Sequence, residues 1–293
     1  MSNPLRKALS SATGRLRSRL LPSLTQLTQR ASGGRHVFVT SYPTETAPLW
    51  EGSPNSALSR LLEPGIHRFE RARQSIEPHL GFLADIPVDG STAELHWDNG
   101  FWGALDAGFQ CASLIERRPA QYVEVGSGYS TMFARLTIEK HQIETTITSI
   151  DPEPRAEIDV LCDRVVRSPL QHVDPALFHS LVAGDVVVFD GSHEAYMGAD
   201  SVVMLLEILP MLAPGVLIGI DDIFLPWDYP AEWKERFYAE QYLLASYLLG
   251  LGNADSVVLP AYFLSRTGPK KHPFDALVPH LGSFGKSFWL ERT

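Results

Sequence analysis

From Gln121 onward, short apolar runs alternate with stretches of helical periodicity. The runs cover residues 122–125, 146–150, 186–189 and 216–220, and the helical stretches cover 132–140, 155–162, 201–212 and 231–250. Short runs rich in apolar residues suit strands, and intervening segments of helix length suit crossovers. Strand and helix in strict alternation predict an α/β fold, a doubly wound, mostly parallel sheet with helices on both faces. Two further strands are predicted at 256–263 and 287–291, joined by a Pro/Gly-rich connection, so the sheet should end in a C-terminal antiparallel hairpin. Before the sheet, Leu58, Leu61, Leu62, Ile66 and Phe69 recur at helical spacing, broken at Pro64-Gly65, and predict two short helices in 56–83. A further helix is expected over 106–117, leading into the first strand.

Charge adds a second division. Up to His36 the chain holds Arg6, Lys7, Arg15, Arg17, Arg19, Arg30 and Arg35 with no acid, a charge of +7 within a net −9, which leaves −16 on the rest. Leu16, Leu20, Leu21, Leu24 and Leu27 fall near one helical face there, so a solvated extension, a docking or membrane-surface helix and a transit segment are all open readings. Gly, Pro, Ser and Thr between Ser32 and Pro54 read as a linker. The expected organisation is a helical N-terminal extension over residues 1–97, basic and then helical, and a second domain over 98–293. The acidic remainder excludes a nucleic-acid partner, because phosphate recognition needs a basic face. No apolar run reaches the ~20 residues of a transmembrane helix, and two cysteines, Cys111 and Cys162, exclude a disulfide framework. A reducing, cytoplasmic setting follows as an expectation. Oligomeric state is left open.

Four apolar runs end in or just before an acid: Glu124, Asp151, Asp190 and Asp221. Ligands of open parallel sheets bind outside the carboxyl ends of the strands, so these acids are expected to share one edge. Capping of the following helices would explain one such acid more readily than four. The first run continues into Glu124-Val125-Gly126-Ser127-Gly128-Tyr129-Ser130-Thr131. Gly126 and Gly128 allow a tight turn and a close ligand approach, and Ser130 or Thr131 can cap the next helix. The third glycine of a dinucleotide loop and the Gly-Lys-Ser/Thr of a phosphate loop are both missing, as is the Gly-x-Ser-x-Gly of a nucleophile elbow. A ligand without a pyrophosphate fits better, and Asp151, 25 residues after Gly126, suits a pair of ribose hydroxyls.

With these residues in view, the chain resembles the class I methyltransferases, which are Rossmann-like, and within them the macrocin-type sugar O-methyltransferase branch. The resemblance runs from about Asp98 to Phe263. It is carried by the loop 124–131, by Ser149-Ile150-Asp151, by Phe189-Asp190-Gly191-Ser192-His193 and by Asp221-Asp222-Ile223-Phe224, with Asp98 to Asp106 and Glu240 to Leu244 on either side. It implies S-adenosylmethionine on Glu124, Gly126, Ser127, Gly128 and Ser130, with its ribose on Asp151. It implies a divalent cation, magnesium, on Asp190, Asp221 and Asp222. His193 then matches the general base of some relatives, with Asp190 as the second catalytic group, and Asp98, Asn99, Phe101 and Trp102 would close over the cofactor. Many relatives have His where Asp221 stands; the acidic pair retained here suits an all-oxygen site.

Chemistry supports a cation, since three converging carboxylates without one would repel and take up protons, and a hard ion could bind vicinal oxygens of an acceptor and lower a hydroxyl pKa. His193 can instead be a loop histidine bonded to backbone. Trp227, Tyr229 and Trp233 could pack against an acceptor or simply pin the last helix. The leading expectation is magnesium-assisted O-methylation of a saccharide or glycosylated small molecule. The alternatives are a metal-independent methyltransferase with His193 as base and a cofactor-binding protein without transferase activity.

Overall fold

The structure, a computed structural model, describes residues 48–50, 52–91, 93–154, 158–268 and 284–293. The basic stretch to His36 and most of the expected linker lie outside them. Ala47–Thr293 makes one compact unit, so the helices before the sheet pack with the sheet itself. Asn55 caps α1 (Ser56–Leu62), its Oδ1 accepting the N–H groups of Ala57 and Leu58. After the Pro64-Gly65 break, α2 (Ile66–Gln74) lays Phe69 against Phe263, and the Arg68 guanidinium caps the Val257 carbonyl at 2.9 Å. A single turn, α3 (Leu80–Leu83), precedes the long α4 (Ala104–Arg117), whose residues 104–114 are buried.

Seven strands form one sheet: β1 (Gln121–Val125), β2 (Thr146–Ile150), β3 (Arg164–Val166), β4 (Val186–Phe189), β5 (Leu217–Ile220), β6 (Val257–Pro260) and β7 (Phe288–Glu291). Their spatial order is β3-β2-β1-β4-β5-β7-β6. The first five strands are parallel, while β7 runs antiparallel between β5 and β6. The doubly wound, mostly parallel sheet expected from the apolar runs is therefore present, as is the antiparallel C-terminal pair. The helices after the strands are α5 (Tyr129–Lys140), α6 (Ala176–His179), α7 (Asp200–Val203), α8 (Leu209–Met211), α9 (Glu240–Leu251) and α10 (Ala261–Thr267).

Several boundaries differ from those the periodicity predicts. β3 was not expected; three residues carry too little pattern to register. Expected helix 201–212 widens into a π turn over Met204–Ile208, just before Pro210, which has no N–H to give the preceding turn. Expected helix 231–250 breaks at Phe237, which takes a left-handed φ of 56°, leaving a 3-10 segment (Ala231–Arg236) and α9. Expected strand 256–263 ends at Pro260 and turns into α10. The expected helix 155–162 is described only in part, as the 3-10 turn Asp159–Leu161.

Register decides what reaches the site. Val125 pairs with Ile150 and with Phe189, and Phe189 pairs with Ile220. Four strands thus end level, and the next residues, Gly126, Asp151, Asp190 and Asp221, stand along one edge. The ladder carries one step further there: Gly126 N–H donates to Ile150, Asp190 N–H to Val125 and Asp221 N–H to Phe189, at 2.8–3.0 Å.

Candidate active site

A cleft of about 300 Å³ opens at this edge, lined among others by Gly126, Ser127, Asp151, Asp190, Tyr196 and Asp200. Gly126 sits at φ 77°, and a Cβ on it would lie 1.8 Å from the Asp190 carbonyl oxygen. The glycine is required because the β1 turn passes against the backbone of the β4 tip. The Ser127 N–H donates to Asp151 Oδ2 at 2.9 Å and the Glu153 N–H to Oδ1 at 2.8 Å, which holds the Asp151 carboxylate at the mouth.

Three of the expected cofactor residues stand elsewhere. Glu124 lies within β1, paired with Ser149 and Val188, two residues short of the level at which the other acids emerge. It is fully buried and does not line the cleft; it accepts the Thr131 hydroxyl, and burial pushes its carboxyl up to about 7 against the hydrogen bonds that favour its charge. Gly128 has an extended φ of −178° with open space around its Cα, so nothing there demands a glycine. Ser130 is buried in the first turn of α5, where Thr131 Oγ1 accepts the Gly128 N–H at 3.1 Å and so serves as the expected cap. All three shape the loop from behind.

On the other side of the cleft the structure brings Asp190, His193, Asp221 and Asp222 together, with two residues to which the sequence assigned no role. One is Glu240. The His193 carbonyl accepts the N–H groups of Ala239 and Glu240 at 2.8 and 3.1 Å, which docks the start of α9 and sets the Glu240 carboxylate 2.8 Å from His193 Nδ1. His193 Nε2 lies 3.0 Å from Asp190 Oδ1 and 3.6 Å from Asp222 Oδ2. Between ionised carboxylates, which only accept, both ring nitrogens would donate and the ring would be an imidazolium; burial raises the pKa of the Glu240 carboxyl, and its bond to His193 opposes this. Burial alone would lower the His193 pKa, but the hydrogen bonds and charges of Asp190 and Glu240 hold it well above the usual value. His193, 3% exposed, stands behind Asp190, whose side chain is 35% exposed and faces the cleft. Both His193 nitrogens therefore face carboxylates, where the expectation of a base would have one facing a ligand. His193 and Asp222 both hold left-handed backbone, at φ 59° and 54°, conformations that a non-glycine residue keeps only where its surroundings enforce them.

The second missed residue is Lys286. Because β7 is antiparallel, its start lies beside the end of β5: Phe288 pairs with Ile220, and the Ile223 N–H donates to the Lys286 carbonyl at 2.7 Å. The Lys286 ammonium donates to Asp221 Oδ2 at 2.7 Å and to Asp222 Oδ1. Burial opposes its charge, and the two carboxylates overcome this and raise its pKa. Asp106, fully buried in the first turn of α4, fixes this segment by accepting the backbone N–H groups of Lys286 and Ser287 at 2.9 and 3.0 Å.

These contacts bear directly on magnesium. Asp221 and Asp222 already give an oxygen each to an ammonium, Asp190 gives one to His193, and no group of three or more His, Cys, Asp or Glu among the described residues is arranged to hold an ion. A divalent ion on the same carboxylates would meet the Lys286 charge a few ångströms away. With Lys286 in place the donor set does not fit a resident cation.

The aromatic loop after Asp222 packs on itself and on the helices that follow, Phe224 meeting Tyr262 at 4.9 Å and Tyr229 meeting Tyr242 at 5.8 Å. Phe224, Tyr229 and Trp233 meet at centroid distances of 5.2–6.5 Å, Arg236 stacks over Trp233 at 3.9 Å, and Tyr238 lies 4.6 Å from the His193 ring. This is the pinning role. Asp98, Phe101 and Trp102 border a separate cavity rather than the cleft, and Asn99 shapes their turn by accepting the Phe101 and Trp102 N–H groups.

Residues 123–223, from β1 to the residues after β5, match the family described as a methyltransferase domain. The enzyme class expected from the sequence is borne out to that extent. No curated protein matches the chain. Solved structures similar to it include an S-adenosylhomocysteine-bound methyltransferase of Podospora anserina, at 15% identity and TM-score 0.36, covering 69% of this chain and 81% of that one. Another is the MycE methyltransferase of the mycinamycin pathway, solved with Mg, S-adenosylhomocysteine and mycinamycin VI. It has 15% identity and TM-score 0.35, over 61% of this chain and 47% of that one. A third is a cofactor-bound protein from MTB, at 15% identity and TM-score 0.37, over 82% and 99%. Likenesses this distant bring no substrate to this chain.

Proposed function

We propose that this chain is an S-adenosylmethionine-dependent O-methyltransferase acting on a hydroxyl of a saccharide or glycosylated small molecule. The observation that carries the reading is the level ending of β1, β2 and β4, with Gly126-Ser127, Asp151 and Asp190 around one cleft. Asp151 would accept the ribose hydroxyls and the Gly126-Ser127 turn would face the rest of the cofactor; a carboxylate and an exposed turn at the strand tips fit such a ligand. When bound, the cofactor supplies an electrophilic methyl group on a sulfonium. The protein's part is to bring the acceptor oxygen within about 3 Å of that methyl and to remove its proton. Asp190 would serve for this: His193 lies 3.0 Å from one of its oxygens, and its side chain, 35% exposed, borders the cleft. His193 orients Asp190, and Glu240 orients His193. No step is routed through magnesium, which the donor set does not fit.

Two measurements test the reading. S-adenosylhomocysteine should raise the melting temperature of the chain. Labelled S-adenosylmethionine, incubated with sugar and natural-product extracts, should yield a methylated product. Asp190→Ala should abolish that product while the shift persists. A missing shift in the wild-type chain would overturn the cofactor assignment, and product from Asp190→Ala at wild-type rate would overturn the role of Asp190.

A further inference from the structure

We propose that the Lys286 ammonium is the cation of this acidic site, a tethered charge standing where a divalent ion would otherwise be needed. The inference rests on the methyltransferase reading of the same strand edge. The case for a metal was that converging carboxylates need a counter-charge. Lys286 meets that need at Asp221 and Asp222.

Its placement is built into the fold. The antiparallel register of β7 delivers residue 286 to the tip of β5, and Asp106 grips the backbone on either side of the turn. At the neighbouring Gly285, a Cβ would lie 2.6 Å from Asp106 Oδ1 and 2.8 Å from the Ala261 methyl, so the segment has little room to shift.

Lys286 also borders a second cavity of about 240 Å³, with Trp97, Asp98, Phe101, Trp102 and Phe284. An ammonium has three donors. Two serve Asp221 and Asp222, and the third remains for an oxygen in that cavity. The aromatic faces around that donor suit a hydroxylated ring, which packs on them while one of its oxygens accepts. A metal ion would chelate vicinal oxygens, whereas an ammonium engages one oxygen as a point charge.

The test is a Mn²⁺ titration of the full chain, read by the electron paramagnetic resonance of free Mn²⁺, on wild type, Lys286→Met, Asp222→Asn and the double variant. The expected result is about tenfold tighter Mn²⁺ binding by Lys286→Met than by wild type, lost again in the double variant. Saturable binding by wild type that disappears in Asp222→Asn overturns the proposal, as does a folded Lys286→Met that binds no better than wild type. Should Lys286→Met not fold alone, recovery of its folding by Mn²⁺ supports the proposal and failure to recover overturns it. The S-adenosylhomocysteine shift, measured on the same samples, reports the methyltransferase reading separately and does not depend on the Mn²⁺ comparison.

Discussion

At Gly126 an added methyl meets the Asp190 carbonyl oxygen at 1.8 Å, while at Gly128 it meets nothing within 4 Å. The two glycines of one motif therefore answer to different demands. Gly126→Ala combines a clash with backbone and a left-handed φ, and should lose cofactor binding and about 2 kcal/mol or more of stability. Gly128→Ala should change stability by less than about 1 kcal/mol, both read by urea denaturation. Glu124 gives a prediction of a different kind. Its carboxyl holds a proton to about 7 against an ordinary 4.5, so the folded chain binds that proton more tightly than the unfolded chain does. The stabilisation this gives is complete below the ordinary value and is lost as pH rises through 7. Glu124→Gln keeps an oxygen for Thr131 and removes the charge. Its stability relative to wild type should rise between pH 5 and pH 8, by on the order of 2 kcal/mol.

At the scale of elements, β7 connects core to site. Trp289 is fully buried in the middle of the strand, its ring lies where a Cβ on Gly219 of β5 would come within 2.7 Å, and its indole N–H donates to Ser287 Oγ at 2.7 Å. Ser287 is in turn held by Asp106, beside Lys286. Removing the ring leaves a cavity between β5 and α4, where Phe109 packs at 5.2 Å from it. Trp289→Ala should cost about 3–5 kcal/mol in denaturant unfolding. Much of the sheet was legible beforehand, because short runs rich in apolar residues, such as 186–189, suit strands. The insertion of β7 between β5 and β6 was not legible. An antiparallel strand shows the same local pattern whichever neighbour it pairs with, and the choice is made by packing against α4 and β5.

For the whole molecule, the cleft couples ligand to fold. A ligand that binds only the folded chain stabilises it by RT ln(1 + [L]/Kd), about 2.7 kcal/mol at one hundred times Kd. S-adenosylhomocysteine should therefore raise the melting temperature, by an amount that grows with the logarithm of its concentration above Kd. Asp151→Ala should weaken binding by about 1.5–3 kcal/mol, the worth of a charge-assisted hydrogen bond, and should displace this rise to higher ligand concentration while leaving the melting temperature without ligand unchanged. A melting temperature already lowered without ligand would place Asp151 in the fold rather than in the site. Among the described residues no helix is long and apolar enough to cross a membrane.

The amino-acid sequence by itself determined the alternation of strand and helix, the turn that needs Gly126, and the emergence of Asp151, Asp190 and Asp221 just past their strands. Each is a local matter of apolar period, backbone freedom and chain position. Only the tertiary structure decided which charges meet. Glu124 belongs to the same motif as Gly126 yet is buried, because strand register, invisible in one strand alone, ends β1 one residue later. His193 and Asp190 are three residues apart, but their roles depend on Glu240, 47 residues beyond His193. Lys286 stands 64 residues from Asp222 and reaches it because an antiparallel strand starts where its parallel neighbour ends. The neutralisation of a buried carboxylate is a property of what surrounds it in space, and that neighbourhood exists only once the chain has folded.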